Sequence, residues 1–123
     1  MRRQLLILCL LAGCMTICAS PESEDAAKEA LAKADELIAY EQRTGNVEKE
    51  GQARWQKIVT LKNFSKTQEQ AEEAEIQMEW FSSHGQWDNY YRTWQLKANA
   101  LSAQGKLQQS LQETQRLLDD AKE

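Results

Sequence analysis

Apolar residues recur at helical spacing in five successive stretches of the chain. Between Glu24 and Thr44, Ala27, Leu31, Ala34 and Ile38 form one stripe, widened by Ala30, Leu37 and Tyr40. Ser23 is placed to cap the start of this helix and Gly45 to stop it in the left-handed conformation. A second helix, Val47 to Lys62, carries Val47, Trp55, Ile58 and Val59 and is weakened near its start by Gly51. In the third, Ser65 and Gln68 have the spacing of a capping box, ahead of an apolar face of Ala71, Ala74, Met78 and Phe81 flanked by Ile76 and Trp80. The fourth, Gln86 to Gln104, presents Trp87, Tyr91, Trp94, Ala98 and Leu101. The fifth, Lys106 to Lys122, presents Leu107, Leu111, Thr114, Leu118 and Ala121, helped by Leu117.

Gly45-Asn46, Asn63-Phe64-Ser65, His84-Gly85 and Gly105 punctuate these stretches at nearly regular intervals. Pro21 is the only proline, and no stretch keeps a two-residue alternation. The chain is therefore expected to be all-α: five helices in antiparallel hairpins, as an array or a bundle. The stretch from Val47 to Lys66 is basic and the one from Glu69 to Glu79 acidic, so the second and third helices should attract as neighbours. Exposed pairs of this kind contribute only about 0 to 1 kcal/mol each.

Residues 1–20 have a different character. Met1-Arg2-Arg3-Gln4 is a short positive segment, Leu5 to Ala19 is almost wholly apolar, and Ser20-Pro21-Glu22 turns polar. This is the form of a secretory signal, shorter than the roughly 20 apolar residues that span a bilayer. It divides the chain into a leader, 1–20, and a helical domain, 21–123. Cys9, Cys14 and Cys18 all lie in the leader, so no disulfide is expected within the helical domain.

Leu11-Ala12-Gly13-Cys14 resembles the bacterial lipobox. That resemblance implies lipidation of Cys14, membrane attachment through the acyl chains and, with Met15 rather than Asp beside the cysteine, an outer-membrane lipoprotein facing the periplasm. Cleavage after Ala19 is the alternative, and would leave a secreted or periplasmic protein. Trp94, Ala98, Leu101, Gly105, Leu107 and Ser110 also resemble a tetratricopeptide motif in their series of large, small, apolar and glycine positions. Phe81, Gly85, Trp87 and Trp94 give a second partial match. The intervals from Gly45 to Gly85 and from Gly85 to Gly105 depart from that family's period, which is about 34 residues. The resemblance implies helical hairpins that bind another protein.

Composition narrows the remaining chemistry. Residues 21–123 contain only 16 Leu, Ile, Val and Phe, a thin supply for a core, but all four Trp and all three Tyr. Their charge is −6, from 13 basic and 19 acidic residues, which argues against nucleic acid. His84 is the only histidine and sits at a predicted helix end, where hydrogen bonding to terminal carbonyls is expected. Glu72, Glu75 and Glu79 share a helix face, without a histidine to join them in a metal site. No phosphate loop, HExxH motif or nucleophile elbow occurs, so neither catalytic residues nor a cofactor nor a metal is expected. Six aromatics lie between Trp80 and Trp94. Trp80, Trp87, Tyr90 and Trp94 are the expected partner-binding residues, against the reading that Trp87, Tyr91 and Trp94 fill the core. The expected function is an envelope-located protein-binding module, of the kind that serves a secretion, pilus or conjugation system; a self-associating structural protein is the alternative.

Overall fold

The computed structural model describes residues 21–122, whose regular structure is helical throughout: α1 Pro21–Thr44, α2 Val47–Asn63, α3 Thr67–Ser83, α4 Trp87–Ala103 and α5 Leu107–Lys122. The leader, with Cys14, lies outside the described residues. All five expected helices form, close to their expected limits at most ends.

The four corners share one construction. Gly45, Ser65, Gly85 and Gly105, evenly spaced along the chain, all have positive φ, between 56° and 80°. At each, the N–H of the following residue reaches back five positions, Asn46 to Glu41, Lys66 to Leu61, Gln86 to Phe81 and Lys106 to Leu101, at 2.9 to 3.1 Å. The left-handed residue itself donates three positions back. This double bond pattern closes a helix with its last carbonyls satisfied. The four carbonyl residues, Glu41, Leu61, Phe81 and Leu101, are all buried, so each corner is anchored to the interior.

Two expected caps do not form. Ser65 occupies the left-handed position that ends α2, and Lys66, whose side chain makes no capping bond, is the N-cap of α3. The corner needs Ser65 as its turning point, which removes it from capping-box geometry. Ser23 lies inside α1 rather than ahead of it. Asn46 does cap with its side chain, accepting from the Lys49 N–H at 3.1 Å.

Successive helices pack antiparallel, and α2 also reaches α4; among the described helices α1 packs only on α2 and α5 only on α4. Because α1 and α5 do not meet, this is an open array. Its unit is a helical hairpin, and the corner at Gly45 in the first recurs at Gly85 in the second. Lys57 on α2 lies 3.0 Å from Asp35 on α1 and 2.9 Å from Glu73 on α3. One hairpin later, Lys97 on α4 lies 2.7 Å from Glu75 on α3 and 3.2 Å from Glu113 on α5. Thus α1–α2 and α3–α4 are equivalent hairpins, and α5 begins a third.

The core sits where α2, α3 and α4 converge, around Ile58, Phe81 and Leu96, with Trp55, Trp80 and Tyr90 packed against it. Gly51 permits close approach there: a Cβ at this position would overlap the side chain of Gln86, which donates to the Val47 carbonyl at 3.1 Å. The leucine stripe of α5 overturns an expectation. Leu107, Leu111 and Leu118 face outward, and α5 buries no residue fully. The helix meets α4 instead through Ser110, whose hydroxyl donates to the Ala98 carbonyl at 2.8 Å, and Glu113, which accepts from Trp94.

Candidate functional site

Of the four aromatics singled out in the sequence, the fold keeps Trp87, Tyr90 and Trp94 in contact and sets Trp80 apart. Trp94 is 6% exposed, and its Nε1 donates to Glu113 at 2.7 Å, so it holds α5 in place. Tyr90 bridges Trp94 and Trp87 edge to face, with ring centroids 5.7 and 5.4 Å away. Burial pushes its phenol pKa up, with the nearby Asp120 acting in the same direction. Trp80 belongs to a different neighbourhood: His84 stacks on it at 4.0 Å and the Arg54 guanidinium lies 4.5 Å from its centroid. Of the four, Trp87 alone is exposed, with 51% of its surface open to solvent.

Buried polar side chains order the array around these rings. Arg54 donates to Glu50 through Nε and Nη2, at 2.9 and 2.7 Å, and through Nη1 to Gln77 at 3.0 Å. Gln77 donates in turn to Glu73, which pairs with Lys57. This relay links α1, α2 and α3 without a break. Its counterpart joins α3, α4 and α5 through Lys97. Burial disfavours the Lys57 and Lys97 ammonium groups, and their hydrogen bonds to two carboxylates each more than offset it, so both pKa values are raised. Burial also works against the Glu113 carboxylate, but hydrogen bonds from Trp94 and Lys97 overcome it and hold its pKa below the usual range.

Trp87 forms one wall of an open cleft of about 550 Å³ between the beginnings of α2 and α4. Trp55 forms another, with Glu48, Asp88 and Arg92 around it. Trp55 and Gln52 continue into a second groove, about 340 Å³, where Leu37 and Glu41 of α1 face Ala53 and Gln56 of α2. The two depressions form one surface across α1, α2 and α4. Trp55 is its pivot, and the aromatic cluster of the sequence did not include it because it lies one helical hairpin away from the others. Its visible signal was a lone tryptophan at the position where the next hairpin has Gln95.

The remaining candidates behave locally. His84 Nδ1 lies 2.7 Å from the Trp80 carbonyl at the end of α3, the helix-terminal role expected of it. Glu75 is drawn into the ion pair with Lys97 rather than into a carboxylate cluster with Glu72 and Glu79. Among the described residues no three histidine, cysteine, aspartate or glutamate side chains converge as a metal site would require, and no helix is long and apolar enough to cross a membrane. No protein-family model, curated protein or solved structure matches this chain. The surface across α1, α2 and α4 offers aromatic and apolar walls with charged rims.

Proposed function

We propose that this chain is a non-enzymatic protein-binding module of the bacterial envelope, held by a lipid on Cys14 and facing the periplasm from the outer membrane. The leader's basic, apolar and lipobox-like order supports the address. The observation that supports recognition is Trp87, half exposed beside Trp55 in a cleft rimmed by Glu48, Asp88 and Arg92. Aromatic anchors surrounded by polar rims dominate binding energies at protein interfaces. In this reading Trp87 makes the contact, Tyr90 supports it from within, Trp94 secures α5, and Trp80 packs against the core behind them. Assembly or escort of a secretion, pilus or conjugation component is the class of task such a module serves.

The test is recovery of envelope proteins by the membrane-matured chain and by its Trp87→Ala variant, with a photo-crosslinking residue at Asp88 marking direct contact. Loss of one specific crosslinked partner from the variant is expected; the same partner recovered equally by both would overturn the cleft assignment. Mass spectrometry of the mature N-terminus is expected to find a triacylated Cys14, and an unmodified Ser20 would refute the anchor. The exposed Leu107, Leu111 and Leu118 favour a second reading, self-association through α5. A sedimenting dimer that dissociates in Leu111→Gln would support it.

A further inference from the structure

Setting the corner at Gly45 on the corner at Gly85 places α1–α2 on α3–α4. Asp35 and Lys57 then fall on Glu75 and Lys97, and Ala53 on Thr93. On α3–α4 a helix already lies across the hairpin. This is α2, whose Arg54 hydrogen-bonds Gln77 and whose Ile58 packs with Phe81 and Leu96. Under it Gln77 is 2% exposed, and Phe81 and Thr93 are fully buried.

The same positions one unit earlier are Leu37, Glu41, Ala53 and Gln56, and they line the open groove of about 340 Å³. Leu37 is 47% exposed where its counterpart Gln77 is covered. The groove therefore repeats the seat that α2 fills on the second hairpin, and the described residues place no helix in it.

We propose that this groove receives one amphipathic helix of the partner protein, in the pose α2 adopts on α3–α4, selected by an apolar residue followed four positions later by Lys or Arg. The inference rests on the protein-binding reading above and names the partner's chemistry. Both selecting residues follow from substitutions between the hairpins. Where Gln77 accepts from Arg54, the groove offers Leu37, which calls for an apolar side chain. Where Phe81 packs on Ile58, the groove offers Glu41, whose carboxylate opens into it beside Lys49 and makes no hydrogen bond or ion pair among the described residues. That open carboxylate favours a cation on the facing helix through charge complementarity, and positions four apart share one helix face.

The experiment uses a labelled synthetic peptide with the sequence Val47–Asn63 carrying Arg54→Leu and Ile58→Lys, titrated by fluorescence anisotropy into the intact, membrane-matured chain. Saturable binding is expected, weakened about tenfold or more in the Glu41→Gln protein, and in peptides that retain Ile58 or carry Ile58→Glu. The peptide comparison stands even if the Glu41 variant fails to fold. Three results would overturn the proposal: no saturation up to ~1 mM peptide, equal affinity for all three peptides, or crosslinking from Gln56 to the chain's own residues 14–20. The two assignments fail separately. A Trp87→Ala protein that loses its partner while the peptide fails to bind retires the groove alone; charge-dependent peptide binding with partner recovery unchanged retires the cleft alone.

Discussion

Helices α4 and α5 carry similar patterns and meet opposite fates. The stripe on α4 steps Trp87, Tyr91, Trp94, Ala98, Leu101, and that on α5 steps Leu107, Leu111, Thr114, Leu118. Yet α4 buries Thr93, Trp94, Leu96, Ala98, Ala100 and Leu101, whereas α5 buries none and Leu111 is 71% exposed. The difference is one of neighbours. Helix α4 is met by α2, α3 and α5, so residues off its main stripe are covered as well; among the described helices α5 is met by α4 alone, through polar contacts that include Ser110, Glu113 and Asp120. Amphipathic pattern says that a helix wants a partner face, and the number of helices around it decides how much of that face is satisfied.

The largest expected break in this contrast comes from the centre. Phe81→Ala should cost about 3 to 5 kcal/mol, a large part of the stability of a domain this size, whereas Leu111→Ala should stay within about 0.5 kcal/mol. Urea unfolding followed by tryptophan fluorescence measures both, and similar losses at the two sites would refute the contrast.

The polar link between the two helices is next in size. Lys97→Met leaves Glu113 and Glu75 without their shared cation and should cost about 1 to 2 kcal/mol, between the exposed and buried limits. Its pH dependence has a definite sign. Glu113 has a lowered pKa in the folded chain, so its contribution is present above the ordinary value of 4.5 and is lost as pH falls through the depressed one. Lys97 has a raised pKa, so its contribution is complete below the ordinary 10.5 and is lost as pH rises through the folded value. Denaturation midpoints against pH should therefore fall at both extremes, less steeply in Lys97→Met.

A smaller and opposite effect belongs to Thr93. It is fully buried on α4 and its hydroxyl has no hydrogen-bond partner among the described residues, so the near-isosteric Thr93→Val should stabilise by about 1 kcal/mol. A destabilised variant would mean that the hydroxyl is satisfied in solution. Least of all should come from Gly51→Ala, where helix propensity gains up to about 1 kcal/mol and displacement of Gln86 from the Val47 carbonyl loses a similar amount. A net change near zero is expected, with the Gln86 amide signal in NMR shifted as the sign that the side chain moved.

Most of the fold was legible from periodicity and turn residues, because helix limits are local. Gly45, Gly85 and Gly105 marked their corners; Ser65 did so less plainly, since serine in the left-handed region is uncommon and its spacing to Gln68 suggested a cap. The site was less legible. Trp80, Trp87, Tyr90 and Trp94 are close in sequence, but the corner at Gly85 sets Trp80 apart, and of the three rings in contact on α4 only Trp87 is open to solvent. Trp55, two helices before Trp87 in the chain, stands beside it in the cleft. An acid, a lysine and an acid recur at Asp35, Lys57, Glu73 and again at Glu75, Lys97, Glu113. That recurrence was present in the sequence, and was the sign of a repeating hairpin.

Composition, spacing and turn chemistry determine by themselves that this chain makes five helices with reversals between them, because those preferences act within a few residues. Tertiary structure alone decides that the array of described helices stays open, that α5 turns its leucines outward and that no described helix covers Glu41. Those outcomes depend on which faces find a covering helix, and burial is settled between helices rather than along one.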